Sequence, residues 1–188
     1  MKLYYLCALF FILLQPLQAA EIADRQFDDV IYIDGYQKQL QLNGIGIRYK
    51  FFFKIYIAAL YLEEKSNDIT RIIESDQAKR VLMHFVYDKV EKEKLVAAWL
   101  EGFEANLSKD DFKSLESRIN MFNSLFETVE TGDVVLLDFI PGKGTRVISK
   151  GQEKGLIEGA DFYAALLKIW LGDEPVDKEL KDALSGTD

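Results

Sequence analysis

Apolar and polar side chains alternate along residues 42–63 of this sequence. Because successive side chains of a strand point to opposite faces, a period of two predicts β-structure with one apolar face and one face that carries Arg48, Lys54 and Tyr56. The stretch is too long for one typical strand. We therefore predict a turn near residues 49–51 and an antiparallel pair of strands, which would bring Arg48 and Tyr56 together.

The rest of the pattern predicts further strands and a set of helices. Short β-rich or alternating runs predict strands over 27–33, 36–42, 80–87, 134–140, 145–149 and part of 151–159. Apolar residues that recur every three or four positions predict helices over 67–75, 90–107, 110–131, 161–171 and 177–184. This order predicts an α+β domain with a large, mostly antiparallel sheet and a layer of helices on one face.

Residues 1–20 have the form of a secretory signal, in which a lysine precedes an apolar run and small residues follow at Ala19 and Ala20. We predict cleavage near Ala19–Ala20, secretion to the periplasm or beyond, and no stable membrane span afterwards, since the apolar run is short for a bilayer. The alternative is a retained N-terminal anchor. Residues 21–188 are enough for a single domain, whose core we expect over about 27–172.

Composition narrows the possible chemistry. The net charge of −8 opposes nucleic-acid binding, because nucleic acids are bound by clustered cations. The single cysteine, Cys7, lies in the predicted signal, so neither a thiol nucleophile nor a disulfide is expected. The single histidine, His84, lies in an apolar strand and is interpreted as structural. Since a transition-metal site needs several such ligands, we expect neither a metal nor a cofactor.

Arg48 is the strongest remaining candidate for chemistry. Its guanidinium keeps its charge and offers a planar set of N–H donors, and two glycines at even spacing before it leave its own strand face uncrowded. Beside Phe52, Lys54 and Tyr56 it is suited to bind a carboxylate or phenolate at the end of an apolar pocket. The Tyr56 hydroxyl would donate to the same anion. The pattern alone also fits, and slightly favours, an exposed strand face whose charges discourage aggregation.

The central stretch resembles the signature of the chalcone isomerase family and reads LNGIGIRYKFFFKIYIAALYLE. The residues that fall on this signature are Gly44, Gly46, Arg48, Lys54, Tyr56, Tyr61, Leu62 and Glu63. Three later segments resemble further elements of the family in the same order: VAAWLEGF, FNSLFETVETGDVVLLDFIPGKGTRV and GLIEGADFYAALLKIWLG. The resemblance extends over about residues 27–172 and is strongest to bacterial chalcone isomerase-like proteins that carry a signal peptide.

The resemblance implies an open-faced β-sandwich, in which a large antiparallel sheet and a layer of helices enclose a cleft. In the plant isomerases an arginine that matches Arg48 stabilises a phenolate during intramolecular ring closure. In plant fatty-acid-binding members an arginine and a tyrosine hold a carboxylate, which implies the same task for Arg48 and Tyr56. The isomerases have a threonine where this chain has Tyr56, and a tyrosine that orders water near Tyr87. An enzyme of this family would therefore use Arg48, Tyr56 and Tyr87 as its catalytic residues.

Three functions stay open at this stage. The first, which we favour, is a pocket for a small apolar anion such as a fatty acid or a phenolic compound, bound through Arg48, Tyr56, Phe52 and Lys54. The second is an isomerase or intramolecular lyase of the chalcone–flavanone type, in which Arg48 offsets charge on a phenolate or enolate. The third is a non-catalytic interaction protein of the envelope whose cleft is filled by side chains. An open apolar cavity beside Arg48 would argue against the third.

Overall fold

The computed structural model describes residues 19–23 and 25–187. The predicted signal segment lies outside the described residues except for its last two positions. The strands are β1 (Ala19–Ile22), β2 (Arg25–Asp28), β3 (Val30–Tyr32), β4 (Gln39–Lys50), β5 (Phe53–Leu62), β6 (Lys79–Phe85), β7 (Lys89–Val90), β8 (Val129–Glu130), β9 (Val134–Ile140), β10 (Gly144–Ser149) and β11 (Gln152–Ile157). The helices are α1 (Ile69–Glu74), α2 (Lys92–Asn106), α3 (Lys109–Ser124), α4 (Ala160–Leu171) and α5 (Lys178–Ser185).

Seven strands form one sheet in the order β11-β10-β9-β6-β5-β4-β3, and every neighbouring pair is antiparallel. The strands β1 and β2 form a separate hairpin, and β7 pairs with β8. The predicted α+β fold, a large antiparallel sheet with a layer of helices, is confirmed. No helix within residues 19–23 and 25–187 is both long and apolar enough to cross a membrane.

The helices pack on one face of the sheet, the inner face. Alternate residues of β5 face this layer, namely Tyr56, Ala58, Leu60 and Leu62. They meet apolar side chains of the helices, among them Phe103, Phe122, Phe162 and Trp170. Eight of the twelve residues of α4 are buried, so this helix contacts protein on most of its sides. The main hydrophobic core therefore lies between the sheet and the helices.

The opposite face of the sheet, the outer face, carries a second and smaller core. It is formed by Phe27, Ile33, Leu40, Leu42, Ile57, Ala59, Tyr61, Ala78 and Ile140. Ala20 and Ile22 of the β1–β2 hairpin pack against it. Beside this core, Asp138 is fully buried between Arg80 and Arg146, which lie directly opposite it on the neighbouring strands. The buried carboxylate is thus paired, as burial of a charge requires.

The register of the β4–β5 hairpin is interrupted twice by one extra residue. Asn43 is skipped in β4 and Ile55 is skipped in β5. An extra residue exchanges the faces on which the following side chains lie. Leu42 and Ile45 consequently pack on the same outer core although they differ in parity, whereas Ile55 packs on the inner core and Ile57 on the outer one. The period of two in the sequence does not predict these exchanges.

Candidate functional site

The β4–β5 hairpin turns at Phe51 and Phe52, where Phe51 has a left-handed φ of 56°. Arg48 of β4 lies directly opposite Tyr56 of β5. Residues opposite each other in an antiparallel pair have Cβ atoms about 5 Å apart. The predicted turn and antiparallel pair are confirmed, and they make Arg48 and Tyr56 neighbours.

A cavity of about 640 Å³ lies between this hairpin and the helices α2 and α4. Small-molecule sites in proteins typically have volumes of about 300–1,000 Å³. A buried, apolar part of the wall is formed by Met83, Phe85, Leu95, Trp99 and Ile169. More polar or more exposed parts are formed by Arg48, Lys50, Phe51, Phe53, Tyr87, Lys89, Lys94, Glu101 and Glu174. The cavity therefore joins an apolar interior to a charged rim.

Arg48 lines this cavity and is only loosely held by protein. Its side chain is 21% exposed, and its Nη1 lies 3.5 Å from Oδ2 of Asp177, which is long for a hydrogen bond. Asp177 already accepts hydrogen bonds from the backbone N–H groups of Tyr49 and Leu180, each at 3.1 Å. Asp177 is the only hydrogen-bond partner of the Arg48 side chain within the described residues. Most of the guanidinium donors are therefore available to a ligand.

Tyr56 also lines the cavity and is buried, with 8% of its surface exposed. The indole Nε1–H of Trp170 donates a hydrogen bond of 3.0 Å to the Tyr56 hydroxyl oxygen. Since indole is only a donor, this bond leaves the proton of Tyr56 free for an acceptor. Burial raises the pKa of Tyr56 to about 12, although the nearby Arg48 charge opposes the shift. At neutral pH the site thus combines a cation with a neutral hydroxyl donor.

The two glycines before Arg48 serve a different purpose from the one inferred from the sequence. A Cβ at Gly44 would overlap the backbone oxygen of Ala183, and a Cβ at Gly46 would lie 2.8 Å from the Ala183 Cβ. The absence of side chains lets α5 pack directly on β4. The same packing brings Asp177, the N-cap of α5, next to Arg48. The space over β4 is therefore occupied by α5. Through Asp177, α5 also contacts Arg48.

Two residues assigned to ligand binding from the sequence lie outside the cavity wall. Phe52 is 82% exposed at the turn, and Lys54 is exposed on β5. The reason is the extra residue Ile55, which exchanges the faces of β5 between Tyr56 and the turn. Phe53 and Ile55 line the cavity in their place.

Tyr87, by contrast, does line the cavity. Its side chain is 36% exposed, and its ring packs edge-on against Phe53 with centroids 5.7 Å apart. Of the residues named from the sequence, the structure therefore brings Arg48, Tyr56 and Tyr87 to one cavity. A role for Tyr87 in catalysis stays a prediction.

Several residues of the site were not identified from the sequence as part of it, and three of them are Trp99, Trp170 and Asp177. The spacing of Trp99 and Trp170 is typical of helix cores, and both are indeed buried. Trp99 nevertheless lines the cavity, and Trp170 fixes the Tyr56 hydroxyl. Asp177 is recognisable in the sequence as the start of a helix, but its contact with Arg48 spans 129 residues. The local spacing of residue types cannot predict a contact between residues so far apart in the sequence.

The charged groups of the cavity wall are mostly cations and do not form a metal site. Within residues 19–23 and 25–187, no group of three or more His, Cys, Asp or Glu side chains is placed to hold a metal ion. The acidic residues of the cavity wall, Glu101 and Glu174, share it with Arg48 and three lysines. The arrangement is suited to an organic anion with an apolar body.

The architecture is similar to that of a solved plant protein. The crystal structure of the Arabidopsis thaliana fatty-acid binding protein AtFAP1 matches with a TM-score of 0.71 at 16% sequence identity, over 90% of this chain and 97% of that one. At this identity the likeness shows the fold. No curated protein is significantly similar to the chain. A family model described as chalcone isomerase-like matches residues 19–186, and the chain therefore belongs to the chalcone isomerase-like family.

Proposed function

We propose that this protein binds a fatty acid or a similarly apolar anion in the cavity beside Arg48. The observation that carries the proposal is the meeting of Arg48 and a protonated Tyr56 in the wall of a cavity of about 640 Å³ with a buried apolar interior. The Arabidopsis protein of similar architecture is by its name a fatty-acid binding protein, which supports the same class of ligand.

The head group of the ligand is held by Arg48 and Tyr56. A carboxylate accepts two N–H bonds from a guanidinium in a planar fork, and such charge-assisted bonds are stronger than neutral ones. Tyr56 adds an O–H donor whose position is fixed by Trp170. Asp177 keeps the guanidinium in place through a contact of 3.5 Å, which is weak enough for a carboxylate to compete with it.

The tail of the ligand packs against the buried part of the wall. This part consists of Met83, Phe85, Leu95, Trp99 and Ile169. Each methylene removed from water contributes about 0.8 kcal/mol, or roughly a fourfold gain in affinity. We expect the affinity of a series of fatty acids to rise with chain length and to level off once the cavity is filled.

The open cavity also bears on the two other hypotheses. An interaction protein with a cleft filled by side chains would not have a cavity of about 640 Å³ beside Arg48. An isomerase would use the same two donors, Arg48 and Tyr56, to stabilise a phenolate or enolate. The phenol ring of Tyr56, however, takes up space where the plant isomerases have a threonine. Binding therefore ranks first.

Native mass spectrometry of the purified protein tests the proposal. We expect a co-purified fatty acid in the wild-type protein and its loss in Arg48→Met. The control is Lys54→Met, which removes a cation of the same hairpin outside the cavity wall and is expected to retain the lipid. Arg48→Lys is expected to fall between the two, because a point charge replaces a fork.

A protein that carries no lipid and takes up no added fatty acid would contradict the proposal. Turnover of a chalcone in that protein, followed by absorbance and lost in Arg48→Met, would assign the site to isomerisation instead. Export is a part of the proposal that rests on the sequence of residues 1–20 alone. Its test is the N-terminal mass of the protein recovered from the periplasm, which is expected to begin near Ala20.

A further inference from the structure

The turn of the β4–β5 hairpin carries three consecutive phenylalanines that are poorly covered by protein. Phe51 is 85% exposed, Phe52 is 82% exposed and Phe53 is 48% exposed. The rings of Phe52 and Phe53 pack together with centroids 4.9 Å apart. We call residues 51–53 the aromatic tip. Single exposed apolar residues are common, but a contiguous exposed patch marks an interaction site.

The first residue of the aromatic tip is a poor choice for a turn in water. Phe51 has a left-handed φ of 56°, a conformation unfavourable for a bulky side chain and easy for glycine. Other turns of this chain have positive φ at glycines such as Gly142 and Gly151, and also at Lys150, a polar and exposed residue. At the aromatic tip the chain instead holds a large apolar ring in water. The exposure of the rings is explained if a partner covers them.

The charges around the aromatic tip are positive. Lys50 and Lys54 flank the three rings, and neither has an ion-pair partner within the part of the chain that the structure describes. Across the mouth of the cavity, Lys89 and Lys94 lie 3.8 and 3.9 Å from carboxylate oxygens of Glu91. The net charge of the whole chain is −8, so an anionic surface repels the chain at long range. The attraction is local to the tip.

We propose that the aromatic tip docks on the surface of a lipid bilayer. Phe51 and Phe52 enter the boundary between head groups and acyl chains, and Lys50 and Lys54 contact lipid phosphates. Apolar rings provide most of the binding in this mode, and each nearby lysine adds a smaller electrostatic contribution. A bilayer offers a partner for both parts of this surface. Its apolar layer receives the rings, and its anionic phosphates bind the flanking lysines.

The tip is also part of the rim of the cavity. Phe51 and Phe53 of the tip line the cavity, and so does the adjacent Lys50. A bilayer that covers the tip therefore lies at the cavity mouth. A fatty acid could then pass between membrane and cavity without crossing bulk water. This last step rests on the proposed function, whereas the docking itself does not.

A tryptophan probe tests where the protein meets the membrane. Phe52→Trp places an indole on the tip, and Tyr32→Trp places one on another exposed aromatic position, 63% exposed, at the opposite end of β4. Trp99 and Trp170 are buried and give the same background in both variants. With vesicles of brominated phosphatidylcholine and phosphatidylglycerol, we expect quenching of the added fluorescence in Phe52→Trp and little in Tyr32→Trp. Equal quenching in the two variants, or none, would overturn the proposal.

Vesicle flotation measures the strength of docking. We expect Phe52→Ser to weaken binding to phosphatidylcholine–phosphatidylglycerol vesicles by about tenfold and Lys54→Ser by about threefold to fivefold. Tyr32→Ser is the matched control and is expected to bind like the wild type. Wild-type affinity in Phe52→Ser would contradict the proposal. So would sedimentation velocity showing a dimer that Phe52→Ser dissociates, because the tip would then be an interface between two copies.

The same variants separate docking from ligand binding. Phe52 and Lys54 do not line the cavity, so Phe52→Ser and Lys54→Ser are expected to bind a soluble fatty acid like the wild type. Arg48→Met is expected to lose the fatty acid and to keep its vesicle affinity. Docking with no fatty-acid binding in the wild type would contradict the proposed function alone, and fatty-acid binding with no docking would contradict the bilayer proposal alone.

Discussion

The two faces of the sheet use arginine in opposite ways. On the outer face, Arg80 binds Asp138 through two hydrogen bonds of 2.5 and 2.8 Å, and Arg146 adds a third of 2.9 Å. On the inner face, Arg48 has one contact of 3.5 Å to Asp177. The residue type is the same and the strands belong to one sheet. What differs is how many N–H donors of the guanidinium are already hydrogen-bonded to protein.

The difference follows from what lies opposite each arginine. Asp138 sits in direct register with Arg80 on β6 and with Arg146 on β10, so the strands themselves impose short ion pairs. The residue opposite Arg48 is Tyr56, which cannot neutralise it, and the space beyond is a cavity. The ion pairs of the outer face therefore belong to the fold, whereas Arg48 keeps N–H donors that the described part of the protein does not use.

The largest effect on stability is expected at Asp138. Asp138→Asn removes the only carboxylate bound to Arg80 among the described residues and leaves Arg146 with a distant one, 3.9 Å away on Glu153. Breaking a buried ion pair typically costs about 3–5 kcal/mol. The free energy of unfolding in urea is the measurement. Asp173→Asn, at an exposed position, is expected to unfold like the wild type. Equal stability of the two variants would show that water compensates the arginines of the outer face.

A second test of stability concerns Lys79, a buried cation that has no short contact with a carboxylate among the described residues. Lys79 is 2% exposed, donates a hydrogen bond to the Ser75 backbone oxygen and lies 5.0 Å from the centroid of the Phe139 ring. Burial lowers its pKa from the usual 10.5 to about 8. Below this folded-state pKa the protein must keep a buried charge, which disfavours folding. Between pH 8 and 10.5 the unfolded chain binds more protons at this lysine than the folded one, so the contribution of Lys79 to stability rises with pH. Burial raises the pKa values of Tyr56 and Tyr61 to about 12, and these groups contribute a fall in stability above pH 10.

Lys79→Met removes this charge and keeps most of the volume. We expect a stabilisation of about 3 kcal/mol at pH 7 and the loss of the rise that Lys79 contributes between pH 8 and 10.5. Urea unfolding at several pH values measures both. Lys113→Met, at an exposed site, serves as the control and is expected to keep the rise. An unchanged pH profile in Lys79→Met would assign the rise to other groups.

A smaller effect is expected at Tyr56. Tyr56→Phe keeps the ring but leaves the buried Trp170 N–H without its acceptor, which costs about 1–2 kcal/mol of stability. Fatty-acid affinity is expected to fall about fivefold through the lost O–H donor. Unfolding curves and calorimetric titration measure the two effects. Tyr163→Phe loses a hydrogen bond to the Leu137 oxygen away from the cavity wall and should reduce stability only.

The smallest change in stability is expected at Arg48. A half-buried arginine with one long contact contributes little, so Arg48→Met should change the free energy of unfolding by less than about 1 kcal/mol. Its affinity for a fatty acid should nevertheless fall at least about tenfold. The difference between the unfolding free energies of Arg48→Met and Asp138→Asn measures most directly how differently the two faces use arginine. A large loss of stability in Arg48→Met would place Arg48 among the structural ion pairs.

The sequence allowed the hairpin and its central pair to be predicted, because the information is local. Alternation along residues 42–63 indicated strands, and the length of the stretch required a turn, which the structure has at Phe51 and Phe52. The pairing of Arg48 with Tyr56 followed from that turn. The fold class followed from the order of strands and helices and from the resemblance to the family.

Other features depend on contacts that no local pattern encodes. The skipped residue Ile55 leaves the alternation of residue types unchanged and yet moves Lys54 away from the cavity. The glycines of β4 are explained by a helix more than a hundred residues later, and the same helix supplies Asp177. The hydrogen bond from Trp170 to Tyr56 likewise joins two distant elements.

Both tryptophans of the chain are placed where the cavity can affect them. Trp99 forms part of its wall, and Trp170 is bonded to the hydroxyl that faces the proposed head group. The two indole rings lie 5.7 Å apart, close enough to share excitation energy. The intrinsic emission of the protein should therefore shift in wavelength or intensity as the cavity fills, which would make occupancy visible without any label.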